Sequence, residues 1–182
     1  MRLYPFIVAP ALAALGCRGA PEIAAAPSKH TPARVDSKEV NANYWQVGEC
    51  YLAGQPTEKG FEEAKAKGMK TVIDLRAAGE ARGFDEKKLV ESLGLEYVNV
   101  PVSPGAINDA TVEQFLAALK ASQKPLMIHC GSASRVWGLW AIHLALDEGV
   151  PIDEALALAE KSGLRSSELK AFAKSYVEKR KK

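Results

Sequence analysis

The chain is short of several things that would narrow its function. Lysine and arginine exceed aspartate and glutamate by only two, 24 against 22, so the overall charge does not call for a nucleic-acid partner. The one basic cluster, Lys179-Arg180-Lys181-Lys182, reads as a solvated helix end, with a membrane-surface contact as the alternative. No apolar run is long enough to span a bilayer. The longest candidate, from Leu3 to Leu15, has 13 residues and is broken by Pro5 and Pro10, where a spanning helix needs about 20. With three cysteines and three histidines in 182 residues, no set at metal-ligand spacing emerges, and neither a metal nor another cofactor is expected.

What is present begins with a leader. Met1-Arg2 gives a basic start, the apolar run follows, and Ala14-Leu15-Gly16 closes it with small residues before Cys17, the pattern of a secretory signal. Ala-Leu-Gly-Cys also resembles the lipobox of bacterial lipoproteins, which would make Cys17 a lipidated membrane tether; cleavage nearby is the plain alternative. Either places the domain outside the cytoplasm, in a periplasmic or membrane-anchored setting. Residues 18–40, rich in Ala, Pro, Ser and Lys, read as a disordered tether, and 41–182 is long enough for one domain. In such a compartment Cys50 and Cys130 are free to form a bridge, while the bland reading of Cys50 is a small buried residue in a strand.

Within the domain, periodicity predicts strands over 44–47 and 50–53 joined through Gly48-Glu49, a helix over 58–67, and a strand over 70–75. A helix over 80–93, a strand over 95–100 and a helix over 108–122 follow. A strand over 126–129 then leads into a helix over 135–148, with two more helices over 152–161 and 166–181. Such alternation predicts an α/β fold with a mostly parallel central sheet flanked by helices. Ligands of these sheets bind at the carboxyl ends of the strands.

That end is where the richest stretch falls. Pro125 to Trp140 reads PLMIHCGSASRVWGLW: a buried strand, His129-Cys130, the small residues Gly131, Ser132, Ala133 and Ser134, then Arg135 and an apolar helix. A cysteine on this loop meets converging backbone N–H groups and the positive end of a helix dipole, both of which favour a thiolate. Arg135 supplies a planar fork of donors for an oxyanion. The small loop residues let the backbone approach a ligand closely. Val136, Trp137, Leu139, Trp140, Ile142, Leu144 and Leu146 make the helix after the loop central and nearly surrounded.

His-Cys, a small-residue loop, arginine and a helix together resemble the signature of the cysteine-dependent phosphatases, in the dual-specificity branch. That family places five residues between Cys and Arg, and this chain has four. The shorter version is similar to a bacterial set named for beta-lactamase-hydrolase-like proteins and described as phosphatase-like. Tyr51-Leu52-Ala53-Gly54-Gln55-Pro56 and Thr71-Val72-Ile73-Asp74-Leu75-Arg76 look like the same set.

The resemblance implies Cys130 as nucleophile, Arg135 and the loop from Gly131 to Ser134 as the phosphate cradle, and His129 as a group orienting the loop from behind. Arg76 would add positive potential braced by Asp74, or the two form an ordinary strand-end ion pair. Gln55 either reaches the site or caps the next helix, and His143 packs. The family's general acid has no counterpart in the loop Val102-Ser103-Pro104-Gly105. The first carboxylate after it is Asp109, which stands either as the acid or simply as a favourable charge at a helix start. Activated aryl phosphates would suffer least from a missing acid. Three functions follow: a phosphatase acting on a phosphorylated protein or small phosphoester, a sulfurtransferase carrying a sulfane sulfur from a donor on Cys130, whose four-residue loop resembles that of rhodanese, or an anion or phosphopeptide binder without turnover.

Overall fold

In the computed structural model the residues described are 29–41, 43–80, 83–103 and 105–181. The leader, with Cys17, and the first part of the expected tether lie outside them.

Six strands form one sheet: β1 (Ala33–Arg34), β2 (Tyr44–Val47), β3 (Cys50–Ala53), β4 (Thr71–Asp74), β5 (Glu96–Asn99) and β6 (Leu126–His129), in the order β1-β2-β3-β6-β4-β5. The first three pair antiparallel, whereas β3, β6, β4 and β5 run parallel. The expected mostly parallel α/β fold is thus the fold observed. β2 and β3 turn through Gly48 and Glu49, with Val47 facing Cys50; Gly48 has a φ of 57°, which only glycine adopts freely in so tight a hairpin.

Period-two alternation sorts the strand side chains onto two cores. Leu52, Ile73, Leu126 and Ile128 pack on one face with Phe115 and the helix after the Cys130 loop. Ala53, Val72 and Met127 pack on the other with Phe61 and Val90. Helices α1 (Glu58–Ala66) and α2 (Glu86–Ser92) supply the second face, while α3 (Asp109–Ala121), α4 (Ser134–Leu146), α5 (Ile152–Ser162) and α6 (Ser167–Arg180) contribute to the first. In α4 every residue from Val136 to Ile142 is buried. A side chain such as Trp137 or Leu139 then contributes about 1.5–3 kcal/mol by burial, which makes α4 the stable platform for the loop at its start.

Two expectations change and one open alternative closes. The helix expected from residue 80 begins only at Glu86, because Gly83 takes a φ of 77° and Asp85 caps the helix by accepting from Lys88 N. Part of the expected tether is placed against the domain: Ala33 and Arg34 pair with Gln46 and Trp45, Val40 is buried, and Lys29 pairs with Glu148. A bridge between Cys50 and Cys130 is ruled out by register. Cys50 stands opposite Leu126, four residues before Cys130, so the two Cα atoms lie roughly 13 Å apart along the strands, where a disulfide needs less than about 7 Å. Both thiols are free and buried, and burial pushes the Cys50 thiol up to about 11; the bland reading of Cys50 is the one that stands.

Candidate active site

Cys130 follows the last residue of β6, its backbone N–H donating to Ala53 O at 3.3 Å. The loop beyond it is turned by its carbonyls. Gly131 O accepts from Gln55 N at 3.2 Å and from Asn41 Nδ2 at 3.4 Å, and Ser132 O accepts from Asn43 Nδ2 at 3.1 Å. In a trans peptide the following N–H points the opposite way, so the amides of Ser132 and Ala133 are aimed away from these partners. Ala133 has a φ of 70°, an αL conformation costing about 1–2 kcal/mol for a residue with a Cβ. It caps the start of α4, whose first-turn N–H groups have no intrahelical partner. A Cβ on Gly131 would be in ordinary van der Waals contact with Arg135 Nη2, at 3.7 Å, so loop and guanidinium lie close together.

Arg135 is fixed from its far side. Glu80 takes Nη1 at 2.5 Å and Nη2 at 2.6 Å, and Val102 O takes Nη1 at 2.7 Å. Nε–H and the second Nη2–H take no part in these contacts. Burial works against the Arg135 charge, but the hydrogen bond to Glu80 and the attraction of Cys130 outweigh it and raise the guanidinium pKa. The same hydrogen bond from Arg135, opposed by partial burial, holds Glu80 below the usual carboxylate range.

Behind Cys130 lies a buried polar cluster. Arg76, 2% exposed, donates from Nε and Nη2 to the two oxygens of Asp74 at 3.0 and 3.1 Å and from Nη2 to Glu86 Oε2 at 2.5 Å. Gln55 Nε2 also donates to Glu86 Oε2, at 2.9 Å, and Tyr97 donates to Asp74 Oδ2 at 2.8 Å. His129, fully buried, has Nε2 3.1 Å from Glu86 Oε1 and its ring edge-on to Phe61. Burial alone would raise the Asp74 pKa, but the Arg76 hydrogen bond, with His129 and Tyr97 adding to it, drives it well below the usual range. Donor atoms of Asp74, Glu86 and His129 lie within 4.8 Å of one another, a spacing a metal ion would accept. The Arg76 guanidinium, bonded to both carboxylates, already supplies the positive charge there.

The sequence-predicted residues therefore divide. Cys130, Gly131, Ser132, Ala133, Ser134 and Arg135 form one cradle, with His129 directly behind. Arg76 is brought close but is spent on Asp74 and Glu86, the ion-pair reading of that strand end, extended by Glu86. Gln55 reaches the cluster. Ser134 Oγ accepts from Arg165 N at 2.9 Å. Asp109 is not brought in: it is exposed at the start of α3, 3.3 Å from Arg180 Nη2, the role of a helix-start charge. His143 stacks on Trp140 and pairs with Asp147, remote from the cradle. Glu80, Glu86, Asn41 and Asn43 were missed, because a glutamate in a helical pattern and an asparagine before a strand look like ordinary solvated residues.

Residues 49–147, more than half of the chain, match the family described as "Beta-lactamase hydrolase-like protein, phosphatase-like domain". The chain belongs to that family. It is 31% identical over 100 residues to a beta-lactamase hydrolase-like protein of Agrobacterium fabrum, covering 53% of this chain and 23% of that protein. A protein of the same description from Xylella fastidiosa is 30% identical over 116 residues, 62% of this chain and 27% of the relative. The chain thus spans about a quarter of the length of the curated relatives it matches. Among solved structures, P. aeruginosa TpbA in complex with phosphotyrosine superimposes with a TM-score of 0.66 at 18% identity, over 84% of this chain and 91% of that one. That likeness is one of fold, and it agrees with the phosphatase-like architecture described above.

Proposed function

We propose that the domain is a cysteine-dependent phosphatase. The observation that carries the reading is the pairing of the Cys130 loop, its Gly131 and Ser132 carbonyls held by Gln55, Asn41 and Asn43, with an Arg135 that Glu80 fixes by both terminal nitrogens and whose charge is supported by Cys130. In the first step Cys130 Sγ attacks phosphorus as a thiolate, an S–P bond forms, and the bond from phosphorus to the leaving oxygen breaks, that oxygen keeping the electron pair and taking its proton from water. Negative charge on the equatorial oxygens is met by the loop amides and Arg135. In the second step water attacks phosphorus and the S–P bond breaks, returning the electron pair to sulfur and a proton to solvent. His129, packed by Phe61 and Glu86, holds the strand end that carries Cys130. A phosphorylated protein or a small phosphoester is the substrate class, and TpbA, with phosphotyrosine bound in its structure, supports that assignment.

The test is phosphate release from an activated aryl phosphate by the reduced full-length protein, against Cys130→Ser and Arg135→Lys. Turnover lost in both variants is expected. The four-residue spacing favours one second reading, transfer of a sulfane sulfur through a Cys130 persulfide. Cys130-dependent thiocyanate formation from thiosulfate and cyanide, without phosphate release, would establish it instead, and silence in both assays would leave an anion binder. We place the domain outside the cytoplasm on the leader pattern, which membrane fractionation of a Cys17→Ala variant tests.

A further inference from the structure

Resting on the anion cradle of the phosphatase reading, we infer that Asn43, with Asn41 beside it, is a positioning residue of the site: the two side-chain amides hold the carbonyls of the Cys130 loop outward and so set how tightly the cradle binds the oxygens of a phosphoryl group.

Both asparagines precede Glu49, where the match to the family begins. What they act on is a loop that belongs to no helix or strand between His129 and Ser134. Within it Ala133 keeps a φ of 70°, a region that an L-residue leaves unless its surroundings hold it there. In a trans peptide the carbonyl and the following N–H point opposite ways. Rotation of the Ser132–Ala133 peptide unit by about 180° would therefore bring Ser132 O to the place of the Ala133 N–H. A carbonyl oxygen there repels the anion that the amide attracts. The same exchange applies to Gly131 O and the Ser132 N–H.

Each carbonyl has donors from outside the loop that oppose this rotation. Asn43 Nδ2 donates to Ser132 O at 3.1 Å. Asn41 Nδ2 donates to Gly131 O at 3.4 Å, beside Gln55 N at 3.2 Å. Of the two side chains Asn43 makes the shorter bond, and it makes it to the carbonyl that adjoins the strained Ala133.

The asparagines are themselves anchored away from the loop. Asn43 O accepts from Gly54 N at 3.0 Å, and Asn41 N donates to Gln55 O at 3.3 Å. A Cβ on Gly54 would stand 2.8 Å from Asn41 Cβ, so glycine there is what admits Asn41. A Cβ on Gly163 would lie 3.7 Å from Asn43 Cγ, which places the turn between α5 and α6 against that amide. Val40 is buried and bridges to Pro56, and Thr57 N donates to Glu39 O at 2.8 Å. An asparagine that only ended a strand would turn its amide to water; these two meet consecutive carbonyls about 90 residues further along the chain.

The experiment titrates tungstate, a tetrahedral oxyanion that is not turned over, into the reduced full-length protein by calorimetry, and measures kcat and KM for 4-nitrophenyl phosphate corrected by the Cys130→Ser variant. Wild type is compared with Asn43→Ala, Asn43→Leu and Ser37→Ala. Leucine is close to asparagine in size and has no donor. Ser37, bonded to Glu63 Oε2 at 2.9 Å, belongs to the same segment and is bonded away from the loop. Both Asn43 variants are expected to bind tungstate roughly 2- to 10-fold more weakly, the effect of one hydrogen bond, with KM raised by a similar factor, kcat changed less and the melting temperature close to that of Ser37→Ala. Unchanged tungstate affinity in both Asn43 variants, an equal loss in Ser37→Ala, or no tungstate binding by the wild type would overturn the inference. Phosphate release that depends on Cys130 would leave the phosphatase reading standing in the first two cases. Tungstate affinity that depends on Asn43, without any release of phosphate by the wild type, would support the positioning role and remove the phosphatase reading.

Discussion

Glu80 grips Arg135 by both terminal nitrogens, at 2.5 and 2.6 Å, and so decides which edge of the guanidinium faces Cys130. An arginine held this way loses little further conformational entropy when an anion arrives. The contact joins the loop between β4 and α2 to the first turn of α4, two elements 55 residues apart in the chain.

Replacing Glu80 by Gln removes the charge and one acceptor while keeping the shape. A hydrogen bond to a charged group is worth about 1.5–3 kcal/mol, so kcat/KM for an aryl phosphate is expected to fall roughly 10- to 100-fold, mainly through KM. The melting temperature should barely move, because Glu80 is partly exposed. Since the folded-state pKa of Glu80 is depressed, the clamp is intact above the ordinary carboxylate value and is lost only as pH falls through the lowered one. A pH profile of KM that rises near pH 4 to 5 would contradict this.

Asp74→Asn should be severely destabilising. It leaves Arg76, 2% exposed, with an uncompensated part of its charge, and breaking a buried pair from one side costs about 3–5 kcal/mol. Urea unfolding measures it. The sign with pH follows from the depressed Asp74 pKa: its contribution is fully present above about 3.9, the unfolded value, and is withdrawn as pH drops below that. The stability difference between wild type and Asp74→Asn should therefore be constant from neutral pH to about 5 and shrink only in stronger acid.

Gly138→Ala tests the packing of α4. In an exposed helix the change gains about 1 kcal/mol. Here the new Cβ would collide with Leu169 Cδ2 and stand 2.5 Å from Leu169 Cγ, and Leu169 is itself buried. Overpacking costs about 1–3 kcal/mol, so the net effect is expected to be destabilising, read as a lowered melting temperature. A raised one would show that α6 moves away freely.

Cys50 should resist alkylation in the native protein. Its thiol is pushed up to about 11 by burial, so little thiolate forms below that pH and iodoacetamide near pH 8 should label it only on unfolding. Mild oxidation should give no intramolecular Cys50–Cys130 bond, checked by intact mass after blocking free thiols.

How much of this was legible in the linear chain differs between groups of residues. Alternation in β4 and β6, the small residues after Cys130, and the apolar run of α4 are local patterns, and the period of a strand or helix together with the chemistry of a short loop suffices to read them. They determined the α/β class, the parallel order of elements and the place of Cys130 and Arg135 at a strand-to-helix turn. The tertiary structure decided what those residues face. Glu80 and Glu86 belong to one loop-helix segment with nothing local to set them apart, yet one orients Arg135 and the other meets Arg76 and His129, because sheet order puts β4 beside β6. The same register separates Cys50 from Cys130 along neighbouring strands, and the return of α6 across α3 gives Asp109 an arginine for a partner. Contacts between distant segments are fixed by strand register and helix packing, quantities that no residue carries by itself.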